Sequence, residues 1–173
     1  MTSPQEIMLT KALEYAKSGM YVFPVKEKCK QPANSNGFKG ATTSPEAIQS
    51  LWQTTAFNIG LATGEINNLI VVDVDDEKTW EDYLTTQPED LPPGPKVETG
   101  NGHHLYFAYP KGRKMRNKTK VKNLGFDVRA NGGYVVAPPS IHHTGKVYKF
   151  TTTGEPPQMP EWLLELISDP EKT

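Results

Sequence analysis

The stretch Leu69-Ile70-Val71-Val72-Asp73-Val74-Asp75 decides how this chain folds. Its apolar run predicts a central strand that is buried on both faces. Successive side chains of a strand point to opposite faces, so Asp73 and Asp75 share one face, about 7 Å apart along the strand. Val71 lies on that face as well, and Val72 lies on the other. The stretch therefore predicts a core strand that carries two carboxylates at its end.

Two later stretches carry residues suited to the same site. The glycine turn Thr99-Gly100-Asn101-Gly102 leads into an aromatic strand in which His104 faces the same way as Tyr106. The stretch Leu124-Gly125-Phe126 is strand-like and ends at Asp127. Carboxylate oxygens are the ligands that Mg²⁺ and Mn²⁺ prefer. Three acids at strand ends therefore predict a divalent-metal site.

Each of these features also has a structural alternative. The acid pair could be a surface turn in which Asp75 or Asp76 caps the helix that follows. A single histidine on a strand, such as His104, is often a structural residue. His103 should point to the opposite face and provides an internal comparison.

In chain order, Asp73-Val74-Asp75, Gly102-His103-His104 and Phe126-Asp127 resemble the three motifs of the archaeo-eukaryotic primase superfamily. The closer resemblance is to the bifunctional primase-polymerase domain of plasmid and phage replication proteins. It extends over roughly residues 10 to 165. Its supporting stretches are Pro24, Lys30-Gln31-Pro32, residues 37–43, Asn58-Ile59-Gly60-Leu61-Ala62-Thr63-Gly64 and residues 127–140.

The pattern of elements predicts an α+β fold, because a few helices alternate with more numerous short strands. The resemblance implies an RRM-like catalytic sheet and an N-terminal αβ lobe, with the active site in the cleft between them. We expect one catalytic domain over residues 1–170, with the lobe at roughly 1–65 and the catalytic sheet at roughly 66–170. Ser3-Pro4 and Ser44-Pro45 should each start a helix. Other helices are expected at 77–84 and 160–167, and strands at 21–25, 58–62, 69–73, 96–99, 105–108, 125–129, 133–136 and 147–150.

The resemblance implies a DNA primase and DNA-directed DNA polymerase that uses two Mg²⁺ or Mn²⁺ ions. Asp73 and Asp75 would bridge both ions, and Asp127 would bind the ion nearer the primer terminus. His104 would contact the triphosphate, and Gly102 would let the backbone approach it. The implied partners are a single-stranded DNA template and primer, (d)NTP substrates, and a helicase or helical accessory domain. Such modules often follow in family members, whereas this chain ends soon after Asp169.

Several cations are candidates for binding phosphate. Arg129 lies two residues beyond Asp127 on the same strand face, and its planar guanidinium matches phosphate oxygens. Lys39 is a weaker candidate for nucleotide or template. Residues 111–122 include seven lysine or arginine residues and no acidic residue. This pattern fits contact with a nucleic-acid backbone that tolerates different sequences. The DNA-binding candidates in this strip are Arg113, Lys114, Arg116 and Lys118.

Two other functions fit the same residues. One is a repair or CRISPR-associated primase-polymerase, which keeps the chemistry and changes the setting. The other is an inactive, RRM-like module that binds single-stranded DNA. The carboxylates and His104 argue against the second alternative, because a pure binding module has no need for a metal cluster.

Composition limits the remaining possibilities. The chain has 173 residues and a formal net charge of −1, which argues against a protein that coats nucleic acid with its whole surface. The single cysteine, Cys29, excludes an internal disulfide. The sequence has no signal peptide and no apolar run long enough to cross a membrane. We therefore expect a soluble, cytoplasmic protein without a membrane partner.

Overall fold

A computed structural model describes residues 2–169. This range contains four α-helices and eight strands, together with three short 3-10 helices at Gly37–Gly40, Glu65–Asn67 and Val121–Asn123. None of the helices in it combines the length and the apolar content that a membrane crossing requires. In chain order the main elements are α1 (Pro4–Lys17), β1 (Val22–Val25), α2 (Pro45–Leu51), β2 (Asn58–Ala62), β3 (Leu69–Val74), α3 (Glu77–Leu84), β4 (Lys96–Glu98), β5 (His103–Ala108), β6 (Phe126–Arg129), β7 (Tyr134–Ala137), β8 (Lys149–Thr152) and α4 (Glu161–Ile167).

The first two helices begin where the Ser-Pro pairs predict. The Ser3 hydroxyl accepts a hydrogen bond from the Glu6 backbone N–H at 3.2 Å, and the Ser44 hydroxyl accepts one from Ala47 at 3.3 Å. Each bond satisfies a backbone donor that has no partner inside the helix. The helix α1 ends at Lys17, Ser18 caps it, and Gly19 follows in the left-handed region with φ +94°.

The strands form two antiparallel sheets. The first has the order β1-β2-β7, and the second has the order β6-β3-β5-β4-β8. Every strand pair within them is antiparallel. This arrangement confirms the predicted α+β fold.

Strand β3 lies at the centre of both hydrophobic cores. Leu69 and Val71 pack into a core shared with the first sheet, α1 and α2. Val72 and Val74 pack into a second core that includes Trp80 of α3 and residues of α4. The alternation predicted for the two faces is confirmed, and the face that carries Asp73 is the one directed at the first sheet.

The predicted boundary between the N-terminal lobe and the catalytic sheet, at residues 65–66, does not hold for β7. This strand was expected in the catalytic sheet, but Ile59 to Ala62 of β2 pair with Tyr134 to Ala137 of β7. A four-residue connection after β6, residues 130–133, carries the chain back to the first sheet. The first sheet is therefore built from both ends of the sequence, and β7 becomes a wall of the space between the sheets.

Two other strands have bounds that differ from prediction by two residues, while the remaining differences are of one residue. Strand β5 starts at His103 rather than residue 105, because both histidines pair with β3 directly after the glycine turn. Strand β8 covers Lys149–Thr152 rather than 147–150. The first difference matters for the site, since it places His104 within the sheet.

Candidate functional site

Three predicted site residues form one row across the second sheet. Asp73 on β3 is directly opposite Asp127 on β6 and directly opposite His104 on β5. Residues paired in this way on neighbouring strands project from the same face with adjacent side chains. The His104 Nε2 atom lies 3.4 Å from Asp73 Oδ1. Residues far apart in sequence thus meet at one point of the sheet.

Arg129 belongs to the next row of the same face, opposite Val71. Its Nη2 atom donates a hydrogen bond to Asp127 Oδ2 at 3.1 Å and lies 3.9 Å from Asp73 Oδ2. The guanidinium therefore lies between the two carboxylates and offsets their repulsion.

Asp75 follows β3 and is exposed to solvent. Its backbone N–H donates to the carbonyl oxygen of Gly125 at 3.0 Å, which keeps it beside the start of β6. Partial burial, followed by the charges of Asp127 and Asp73, raises the pKa of its carboxyl group above the usual value. The three predicted carboxylates thus interact electrostatically.

The carboxylate of Asp127 is held from both sides. Its Oδ1 atom accepts a hydrogen bond of 2.7 Å from the backbone N–H of Lys120, while Oδ2 accepts the bond from Arg129. Lys120 adopts the left-handed conformation with φ +47°, and Lys122 and Asn123 nearby also have positive φ. Such backbone conformations cost free energy in residues other than glycine and occur often at functional sites.

Asp73 remains an acid with a low pKa although it is partly buried. Burial alone would raise its pKa, but the contact with His104 and the positive charges of Arg129 and Lys30 outweigh that effect and lower it. The site therefore keeps a partly buried carboxylate in its ionised form, as a metal ligand must be.

A cleft of about 250 Å³ is lined by Asp73 and His104 of this row, whereas Asp127 and Asp75 lie outside its lining. One wall is the second sheet with Asp73, His104 and Arg129, and the other is formed by Gly132, Gly133 and the first residues of β7. The rest of the lining is polar or aromatic: Lys30, Thr99, Asn101, Asn117 and Tyr148.

Gly102, in the turn before β5, avoids a steric clash with the end of β3. A Cβ atom on Gly102 would overlap the carbonyl oxygen of Val74, and Gly102 does not line the cleft. Its small size lets the turn approach the end of β3. His103, on the opposite face as predicted, is buried and places Nδ1 2.9 Å from Glu77 Oε1.

Three residues of the predicted basic strip contact the chain near residues 168–169 at the molecular surface. Arg116 and Lys118 contact Asp169 Oδ1 at 3.0 and 2.8 Å, and Arg113 donates to the hydroxyl of Ser168 at 3.3 Å. Arg116 and Lys118 line a surface depression that also includes Asn117, a residue of the cleft wall. The strip therefore adjoins the cleft. Lys39 lies in the 3-10 helix Gly37–Gly40, outside the cleft lining.

Sequence reasoning missed three polar residues of the cleft. Lys30 brings a cation from the loop after β1, Asn117 comes from the basic strip, and Tyr148 precedes β8. Burial, with a smaller effect of Asp73, raises the pKa of Tyr148 to about 12, so its hydroxyl stays protonated. Lys30 lies in one of the stretches that support the family resemblance, and this was the sequence signal that could have identified it. No local sequence pattern pointed to Tyr148.

The carboxylates of Asp73, Asp75 and Asp127 are chemically suited to a hard divalent cation, but their oxygens do not surround a single metal position. All three acids offer oxygen ligands, and their clustering is unfavourable without a counter-charge. Within residues 2–169, however, no three His, Cys, Asp or Glu side chains converge on a single metal position. The guanidinium of Arg129 occupies the space between Asp73 and Asp127 instead.

A family model described as Prim-Pol, bifunctional DNA primase/polymerase, N-terminal, matches residues 12–162. The match includes the whole row of Asp73, His104 and Asp127 together with Arg129 and Lys30. No curated protein matches the chain.

Proposed function

The chain belongs to the bifunctional DNA primase/polymerase N-terminal family, and from this premise we propose that it is a DNA-templated nucleotidyltransferase that joins (d)NTPs to a primer. Residues 1–170 act as one catalytic domain in this proposal. The observation that carries it is the row of Asp127, Asp73 and His104, because Asp73 and His104 of this row line a cleft that cations also line. A replication setting in a plasmid, phage or prophage follows from the resemblance.

The reaction joins the 3′-hydroxyl of the primer to the α-phosphorus of the nucleotide and releases pyrophosphate. Two Mg²⁺ or Mn²⁺ ions would activate the attacking oxygen and stabilise the charge on the leaving group. In our proposal Asp73 and Asp75 would hold both ions, and Asp127 would hold the one nearer the primer terminus. The low pKa of Asp73 supports its role as a ligand that stays ionised.

The remaining cleft residues orient the nucleotide. His104 contacts a phosphate oxygen through an imidazole N–H, and its buried Nδ1 atom has no hydrogen-bond partner in the described part of the chain. Arg129 and Lys30 contribute positive charge on the same cleft, and the protonated hydroxyl of Tyr148 is a further donor. Arg113, Lys114, Arg116 and Lys118 would contact the template backbone outside the cleft.

Primer extension with Mn²⁺ or Mg²⁺ tests this proposal directly. We expect the intact protein to extend a primer and Asp73→Ala to lose extension while it still binds the template. Asp76→Ala is the matched control, because this neighbouring acid caps α3 through Thr79. Equal extension by the intact protein and Asp73→Ala would disprove the metal-site assignment.

Two alternatives differ in outcome. Synthesis without a primer favours a primase, whereas extension that always needs a primer favours a repair or CRISPR-associated polymerase. Template binding with no synthesis by any variant would favour an inactive single-strand binding module. The proposed contacts of Arg113, Lys114, Arg116 and Lys118 with phosphates predict that DNA binding weakens strongly as the salt concentration rises.

A further inference from the structure

Arg129 has a position that a phosphate-binding role alone does not explain. Its Nη2 atom is 3.1 Å from Asp127 Oδ2 and 3.9 Å from Asp73 Oδ2, so it contacts both carboxylates of the row. Within residues 2–169, no lysine and no other arginine forms an ion pair with Asp73, Asp75 or Asp127. Arg129 is therefore the permanently charged side chain that directly contacts these carboxylates in the described residues.

The guanidinium and a divalent cation would need the same oxygens. Asp127 Oδ1 accepts the backbone N–H of Lys120 and Oδ2 accepts the N–H of Arg129, so both oxygens of this carboxylate are already engaged. Arginine cannot lose its proton in a protein, and its positive charge repels a cation that approaches. A metal ion that binds between Asp73 and Asp127 must therefore displace Arg129.

The cleft gives the displaced side chain a new partner. Arg129 lines the cleft together with Lys30, and a triphosphate in that space presents the anionic oxygens that a guanidinium binds well. A metal ion that arrives without a nucleotide offers Arg129 no such replacement. The cost of displacing Arg129 is therefore lower when metal and nucleotide bind together.

We propose that Arg129 is a built-in counter-ion that competes with the divalent cations for Asp73 and Asp127 and transfers to the phosphates of the nucleotide when both bind. This inference rests on the proposed function and deepens it. It assigns Arg129 a positioning role, in which the site resists metal binding until the substrate is present.

The first test measures Mn²⁺ binding without nucleotide, from the loss of the paramagnetic resonance signal of aqueous Mn²⁺. We expect Arg129→Met to bind Mn²⁺ about five-fold or more tightly than the intact protein, within the usual range of coupling between sites. Arg129→Lys keeps the charge and should stay closer to the intact protein. Equal or weaker binding by Arg129→Met, with its folding verified by thermal unfolding, would overturn the proposal.

The second test measures Mn²⁺ binding again with inorganic tripolyphosphate present, at equal concentrations of free Mn²⁺, so that metal and phosphate are both available. Tripolyphosphate should tighten Mn²⁺ binding more in the intact protein than in Arg129→Met, because only the intact protein can move Arg129 from the carboxylates to phosphate. Tighter binding of Mn²⁺ alone together with a smaller gain from tripolyphosphate in one variant is a combination that general damage to the structure would not produce. An equal gain from tripolyphosphate in the two proteins would contradict the transfer of Arg129 to phosphate.

Two further variants separate the explanations. Lys30→Met removes a cation from the same cleft that forms no ion pair with the carboxylates; if it tightens Mn²⁺ binding as much as Arg129→Met, general charge is responsible and the proposal is wrong. Asp73→Asn should weaken Mn²⁺ binding. If Mn²⁺ binding does not depend on Asp73, the proposed function fails as well, whereas Asp73-dependent binding that ignores Arg129 overturns only this inference.

Discussion

At the scale of single residues, Asp75 and Asp76 are adjacent carboxylates with opposite effects on stability. Partial burial and the charges of Asp127 and Asp73 raise the pKa of Asp75, so the folded state disfavours its ionised form. The hydrogen bonds from Thr79 lower the pKa of Asp76, so the folded state favours its ionised form. The chain thus accepts an unfavourable charge at Asp75 next to a favourable one.

Asp75→Asn should stabilise the metal-free protein. The unfavourable charge is present above the raised pKa of Asp75 and disappears as the pH falls through that value. The gain in the free energy of unfolding should be below about 1 kcal/mol, because solvent screens this exposed group. Urea unfolding at pH 7 in the presence of a chelator measures it, and a lower unfolding midpoint in Asp75→Asn would contradict the electrostatic argument.

Asp76→Ala should change the protein in the opposite direction. The substitution removes the carboxylate that caps α3 by accepting a hydrogen bond of 3.1 Å from the Thr79 N–H, and it should therefore lower the urea midpoint. Primer extension should continue, because Asp76 takes no part in the row of site residues. Loss of extension in a folded Asp76→Ala protein would show that the cap does more than stabilise the helix.

At the scale of elements, the turn between β4 and β5 fixes the end of β3. A Cβ atom on Gly102 would overlap the carbonyl oxygen of Val74, and Val74 lies between the two site carboxylates Asp73 and Asp75. The turn and the strand end must therefore move together. Their close contact makes the glycine necessary for the position of the acids.

Gly102→Ala should cost about 1–3 kcal/mol of stability, as overpacked sites usually do, and should abolish extension because the end of β3 shifts. Gly154→Ala is the control: its Cβ atom meets nothing within 4 Å, although its φ of +127° is unfavourable for alanine. Urea unfolding and primer extension, measured on both variants, separate the two effects. Full activity in Gly102→Ala would mean that the turn moves without the strand.

Local patterns predicted most elements but not how they pair. The alternation of side chains correctly put Asp73 and Val71 on one face, and His103 opposite to His104. The order β6-β3-β5, which brings Asp127 and His104 to either side of Asp73, depends on long-range pairing that a local pattern does not contain. For the same reason the contact of Arg129 with two carboxylates and the arrival of Lys30 from a loop could not be predicted.

At the scale of the whole molecule, two buried histidines make stability depend on pH. Burial lowers the pKa of His103, against the opposing effect of Glu77, and burial followed by the charges of His143, Lys30 and Lys146 lowers the pKa of His142. The unfolded chain binds these protons near pH 6.5, whereas the folded protein resists them. The stability is therefore present above about pH 6.5 and is lost as the pH falls.

The urea midpoint should be lower at pH 5.5 than at pH 7.5. His103→Gln should reduce this difference, because glutamine does not titrate and can still hydrogen-bond to Glu77. His143→Gln, at an exposed neighbouring position, is the comparison and should leave most of the difference in place. An equal or higher midpoint at pH 5.5 in the unmodified protein would contradict the assigned direction.

The late return of β7 to the first sheet has a consequence for synthesis on the ribosome. Until residues 134–137 have left the exit tunnel, β2 is paired only with β1 and keeps one open hydrogen-bonding edge. The second sheet likewise lacks its outer strand until residue 152 has emerged. Most of the nascent chain must therefore wait, with unpaired strand edges exposed to other chains, before either sheet is complete.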